Sequence, residues 1–521
     1  MYLDGAYAFY ARDFTTATFA FARASRSANP WLKETSLYMV GRAQLNAAQA
    51  HAFDSDDTLN RAKVVKVSLD VANAAFGTYL KFYREGRYAR SAAGLQRRIA
   101  WLGGDVAKQA SLYDDAFTTW SATTSNMSLI QLANELDNKL LLAPNFDTCV
   151  HLPPSVLAVA DLMRMRVSGK VDKSLTLDEL RAQRSRFGNK AALHDYLVAV
   201  WYLEIDHRPE QALALLPPAP DTSPDYFGLS QQIVRGLAFE ASGRSDKARD
   251  LWTHLITLAK FPLQREALEL ALAINFEQVG IVERAFVDHS PIQDIGIRAI
   301  LLQHAASANL LRTQAKIKAV DSPLREMALY TLLYKELTRA RYTGFIADLA
   351  LVSGLPSRAL EPFTSPDSTN DEGYVCPSAR ELAVMLQHNP GASKGLNCLA
   401  EFVRRNPPAY PRLIGEATAR RCPPPRTGEV PVSAPLGCGP SQFGGKAYER
   451  ISSYLRVMDD ARAPSDDRAY ALYRAINCFA PAGYSNCGGN DIPKRNRRLW
   501  FKRLKSGYPN SQWAQSLRYY W

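Results

Sequence analysis

Few residues in this chain are spaced for chemistry. His194-Asp195 and Asp206-His207 place an imidazole beside a carboxylate, the pairing that tunes a general base. Sequence neighbours seldom face one another on a helix, so both pairs read as surface polar residues near helix ends. Glu401 and Glu449 flank a cysteine-rich segment. One or two carboxylates held by the fold suffice for glycoside hydrolysis, which makes them the candidate acids of a peptidoglycan-acting hydrolase. Their bland reading is solvated surface glutamate. The nearest approach to a phosphate loop is Gly439-Pro440-Ser441-Gln442-Phe443-Gly444-Gly445-Lys446. It fails, because the lysine is displaced by one position, Ala447 replaces the magnesium-holding hydroxyl, and no apolar strand precedes it. No His-Glu-x-x-His pair occurs. No catalytic, cofactor-binding or metal residue is assigned, and no cofactor is expected.

Cysteine chemistry concentrates in the last third. Cys149 stands alone, while Cys376, Cys398, Cys422, Cys438, Cys478 and Cys487 fall together. Six thiols in a Gly/Pro-rich region read as a disulfide framework, which requires an oxidising compartment such as the bacterial periplasm. Reduced buried thiols and a metal site stay open. Zinc ligands want spacings of two to four residues or nearby histidines, and all eight histidines lie at or before His388. Cys478 and Cys487 close a short loop that a bridge would fix.

Charge is just as uneven. The chain carries +12 formally, yet residues 401–521 hold 20 Lys and Arg against 9 Asp and Glu, which accounts for nearly all of it. Seven cations, Lys494, Arg495, Arg497, Arg498, Lys502, Arg503 and Lys505, fall within twelve residues around Trp500 and Phe501. Such a cluster is an anionic docking face or a merely solvated one. On a helix, Leu499, Trp500 and Leu504 define its expected apolar side. No nucleic-acid reading module accompanies it, so nucleic acid is an unlikely partner.

These groups must be positioned by helices. With 521 residues, 47% hydrophobic and 22% charged, the chain has a folded composition and no run of 18 apolar residues. From Tyr2 to about Leu360, apolar-periodic stretches of 12 to 20 residues alternate with short Gly, Pro, Asp and Ser punctuation, the rhythm of helical hairpins. Ala212, Ala248 and Ala285 recur at spacings of 36 and 37, the latter two each five residues after a glycine, Gly243 and Gly280. Glycine ends a first helix, and alanine lets the second approach its neighbour. Nine prolines between Pro407 and Pro440 exclude a continuous helix or central strand there. After Gly445 helical patterning resumes, with Tyr448, Ile451, Tyr454 and Met458 and then Tyr470, Leu472, Tyr473 and Ile476 as core stripes.

Phe14, Ala17, Phe21, Ala24 and Pro30 reproduce the second-helix spacing of a tetratricopeptide repeat, and Gly243, Ala248, Trp252 and Pro262 match the same helix. The resemblance covers about half of residues 1–360, with a degenerate first helix. Two junctions, Tyr79 to Ala92 and Phe501 to Ala514, resemble the tyrosine-proline-x-serine-x-aromatic-alanine turn of periplasmic and outer-membrane-associated tetratricopeptide-like proteins. The first departs from it, since Arg84 stands where the second has Pro509. The resemblance implies an envelope scaffold. Tyr2 to Ala24 carries aromatic and acidic residues where a secretory leader has a basic start and an apolar run, which counts against export. Met1 opens directly into an amphipathic stretch, so the true N-terminus is expected to lie upstream.

The expectation is an all-α protein, a tetratricopeptide-like hairpin solenoid, with hairpins over 1–140, a central solenoid over 141–360, a Cys/Pro-rich region over 361–445 and a basic helical segment over 446–521. Its expected role is non-enzymatic. It binds another protein in the bacterial envelope, periplasmic or outer-membrane-associated, with an anionic envelope surface as a second partner. Tyr79, Tyr83, Arg87, Tyr88, Arg97 and Arg98 are of the types that anchor interfaces, although core packing explains the aromatics as well. The alternatives are the hydrolase above and a cytoplasmic helical-repeat protein associated with nucleic acid.

Overall fold

The computed structural model describes residues 1–121, 125–143, 146, 151–165, 175–317, 323–353, 357–365, 369–406, 435–489 and 491–521. The described chain is all-helical apart from one two-stranded hairpin and an isolated bridge between Phe53 and Leu59. It divides into two compact units, Met1–Leu216 and Pro217–Trp521.

In the first unit, the helices Tyr2–Tyr10, Phe14–Ala24, Pro30–Gln49, Lys66–Phe82, Ala89–Gly103, Val106–Thr118 and Leu129–Leu136 pack each on the next in sequence order. Local signals set their ends. The Asp13 carboxylate accepts the Thr16 N–H at 3.0 Å, and Asn29 accepts that of Leu32 at 3.2 Å with Pro30 at the first helical position. Ser128 and Gln131 form a capping box. Ala17, Phe21 and Ala24 are buried along one side of Phe14–Ala24. Tyr38, Phe76, Tyr79 and Tyr88 form an aromatic core in which Tyr38 and Tyr88 stack with centroids 4.5 Å apart.

Two of the three periodic alanines fall in the second unit. Ala248 and Ala285 are fully buried, as is Ala212 in the first unit. Gly236 lies against Trp252 so closely that a Cβ there would stand 2.0 Å from the indole. The repeat then degrades, because Gly280 ends Pro262–Val279 in a left-handed cap but Ala285 falls in a 3-10 turn, Val282–Phe286, where a full second helix is expected. Within the Cys/Pro-rich region, the strands Thr369–Asp371 and Tyr374–Cys376 pair antiparallel. Their turn residues Glu372 and Gly373 both have positive φ, 49° and 83°, the geometry of a type I′ hairpin reached without the usual Asn-Gly.

Disulfides join Cys376 to Cys398 and Cys478 to Cys487. Cys438 is also disulfide-bonded. Cys149, Cys422 and most of the proline-rich stretch lie outside the described residues. The expected stripes of Arg450–Asp459 and Ser465–Asn477 are core, with Tyr454, Tyr470, Leu472 and Ile476 fully enclosed. The Phe501 to Ala514 junction also forms as its residues suggest. Pro509 follows Lys494–Gly507, the Ser511 hydroxyl accepts the Ala514 N–H at 3.2 Å, and Trp513 is buried.

Candidate binding surfaces

In the first unit, the turn between Lys66–Phe82 and Ala89–Gly103 faces the end of Val106–Thr118 across a cleft of about 960 Å³. Arg84, Arg87, Arg90 and Arg97 line it together with Trp120, Asn126 and Met127, and Glu85 is the one acidic residue of the lining among the described residues. The arginines differ in what they already hold. Arg97 is buried and donates to Glu135 at 3.0 Å, with its guanidinium over the Tyr113 ring. Glu135 also accepts from the Tyr113 hydroxyl at 3.1 Å. The Arg87 backbone N–H donates to Glu34 at 2.7 Å, which leaves its guanidinium 4.0 Å from that carboxylate. Arg84 and Arg90 are exposed and have no ion pair among the described residues.

The turn itself is fixed from behind. The Tyr79 hydroxyl donates to Glu34 at 2.8 Å and accepts the Tyr88 N–H at 2.9 Å. Burial and the Glu34 carboxylate push that phenol above its ordinary pKa, so it remains a donor. The aromatics of the sequence-derived interface group thus divide from its arginines. Tyr79, Tyr83 and Tyr88 belong to the core, whereas Arg87 and Arg97 face the cleft. Arg98 lines a smaller adjoining cavity of about 200 Å³ with Lys139 and Glu135. Its guanidinium donates to Gln49 at 2.8 Å.

The catalytic candidates are otherwise occupied, and two corrections follow. Glu401 is 1% exposed instead of solvated. Arg404 and Arg405 donate to its oxygens at 2.5 to 2.8 Å, the Tyr470 hydroxyl at 3.3 Å, and Arg474 stands at 4.0 Å. A carboxylate held by three guanidinium groups serves to compensate their buried charge. Glu449 is exposed and accepts from the Ser452 hydroxyl. His194 is 2% exposed instead of on the surface. Its Nε2 is 2.9 Å from the Leu180 carbonyl, which assigns the proton there, and Arg184 faces Nδ1 at 3.2 Å while pairing with Asp195 at 2.6 Å. Asp206 pairs with Arg208 at 3.1 Å. Among the described residues, no group of three or more His, Cys, Asp or Glu is placed to hold a metal.

The failed phosphate loop is a strap. Gly437 donates its N–H to Glu277 at 2.8 Å, Gln442 to the Ala305 carbonyl at 2.8 Å, and Arg339 donates to the Gly444 carbonyl at 2.9 Å. Phe443 is buried beneath three cations, Lys335, Arg339 and Arg341, at 5.2 to 5.5 Å from its ring. No sequence signal pointed to Lys335, a lysine inside a wholly buried helical turn of Pro323–Thr338.

The seven-cation cluster lies on Lys494–Gly507 but does not form one face. Arg497 is buried against Phe479, with its guanidinium 4.4 Å from the ring and donating to the Gly483 carbonyl. Arg503 pairs with Asp459 at 2.8 Å, and Lys505 donates to the Ala514 carbonyl. Lys494, Arg495, Arg498 and Lys502 stay exposed. Leu499, expected on the apolar side, is 64% exposed among them, because Leu504 and Arg497 supply the packing face.

Among known proteins, no family model, no curated protein and no solved structure matches this chain.

Proposed function

We propose that the protein is a non-enzymatic helical scaffold of the tetratricopeptide-like type, and that the arginine-lined cleft of its first unit grips an acidic segment of a partner protein. The observation that carries this reading is the difference among the four arginines. Arg97 and Arg87 are braced by Glu135 and Glu34, which fixes the cleft wall, while Arg84 and Arg90 present guanidinium donors with no carboxylate of their own among the described residues. Guanidinium forks match carboxylates in pairs. Trp120 beside them supplies an aromatic anchor of the kind that dominates interface energetics.

Packing of successive helices in sequence order supports a solenoid, whose grooves serve for such binding. The disulfides support an oxidising compartment, for which the bacterial envelope is the reading implied by the junction motifs. Among the described residues, no helix is long and apolar enough to cross a membrane.

Fluorescence anisotropy against matched acidic, neutral and basic decapeptides tests the reading. Acidic peptides are expected to bind, with affinity falling on addition of salt and about tenfold on R84A/R90A. Equal binding of all three classes, or no loss in the variant, contradicts it.

A further inference from the structure

The cations of Lys494–Gly507 left over after packing form a pattern. Lys494, Arg498 and Lys502 are spaced by four residues, and Arg495 and Leu499 lie alongside, so all five share one exposed side of the helix. None of the four cations has an ion pair among the described residues. Leu499 stands beside Arg495 and Lys502, 64% exposed. Residues 519–521 run beside the same helix. The Tyr520 ring lies 5.5 Å from Phe501, and Lys494 sits 5.9 Å from Tyr520. Tyr519 is 67% exposed, with Trp521 6.3 Å from it. Lys and Arg around a projecting leucine, with Tyr and Trp at the margin, match the headgroup layer of a bilayer, where cations meet phosphates and amphipathic rings sit at the water boundary. A phosphate backbone offers nothing to Leu499, which favours lipid over nucleic acid.

We propose that this face, built on Lys494, Arg495, Arg498, Leu499 and Lys502, docks the second unit onto an anionic lipid surface. Each cation contributes through the surface potential, and Leu499 and Tyr519 enter the interfacial layer. Nothing in it depends on the cleft of the first unit, so either surface can fail without the other.

Co-sedimentation of the full chain tests it, with vesicles of phosphatidylethanolamine and phosphatidylglycerol against vesicles of phosphatidylcholine alone. Binding is expected only to the anionic vesicles and weakens as salt rises. R498A/K502A should lower the partition coefficient roughly 25-fold, about fivefold per cation. L499S, which keeps every charge, should lower it up to about tenfold. All three positions are exposed, and unchanged circular dichroism verifies the fold. Three outcomes overturn the proposal. One is absence of binding to anionic vesicles, and another is equal binding to phosphatidylcholine. The third is tight binding of a single-stranded oligonucleotide that R498A/K502A abolishes and L499S leaves intact, which would assign the face to nucleic acid.

Discussion

Arg97 and Glu135 form a pair at 3.0 Å in which the arginine is almost wholly enclosed and the carboxylate also accepts from Tyr113. Such a pair is costly to break from one side, because the survivor is left charged and buried. E135Q is therefore expected to lower the stability of the first unit by about 3 kcal/mol in urea denaturation. R84A/R90A, at exposed positions, should stay within about 0.5 kcal/mol of the parent. If both variants melt alike, the division of the cleft into braced and free arginines is wrong.

Glu401 serves the second unit in the same way. E401Q removes the anion that compensates Arg404, Arg405 and Arg474 and is expected to cost about 3 kcal/mol, with no associated loss of any cell-wall-degrading activity. A fully stable E401Q protein that has lost hydrolysis of purified peptidoglycan would return Glu401 to a catalytic role.

The bridges Cys376–Cys398 and Cys478–Cys487 close loops with sequence separations of 22 and 9. In the chain-entropy account each contributes about 3 kcal/mol. Reduction should lower the melting temperature of the second unit while leaving the first unit's unchanged. Five described cysteines are bonded, and bonds take cysteines in pairs, so thiol titration of the denatured chain should find one free thiol of seven before reduction. Three or more free thiols would contradict the framework.

Lys335 is 9% exposed with no hydrogen-bond partner for its amine among the described residues, and burial together with Arg339 pushes its pKa down to about 7. Of the three cations over Phe443, this amine is the one that gives up its charge. An unfolded lysine titrates near 10.4, so between about pH 7 and about 10 the unfolded chain binds a proton that the folded chain lacks. Stability from this group therefore rises with pH across that window, and the whole cost is present below about 7. K335M should be the more stable protein by up to about 4 kcal/mol at neutral pH, and its advantage should shrink toward pH 10. An advantage that does not vary with pH would show that Lys335 stays protonated when folded.

The helical class was legible because apolar periodicity and capping residues such as Asp13, Asn29 and Ser128 act locally. The Cys478–Cys487 loop was legible for the same reason. Burial of Glu401 and His194 was not, since it depends on Tyr470, Arg474 and Arg184, which only tertiary packing brings near. Leu499 was misassigned because helical periodicity identifies which residues share a side but not which side meets the core. Arg87 and Arg97 were visible as interface types. Arg84 and Arg90 gain their place only when Val106–Thr118 folds back opposite them.

Site-specific photo-crosslinking tests the central claim most directly. Ala93 lines the cleft and is exposed, so Ala93→p-benzoyl-L-phenylalanine places the photoreactive ring where the acidic segment should lie. Irradiation with an acidic peptide should yield an adduct that R84A/R90A abolishes. An adduct of equal yield in that background, or none under conditions where the peptide is bound, would contradict a cleft that works through its free arginines.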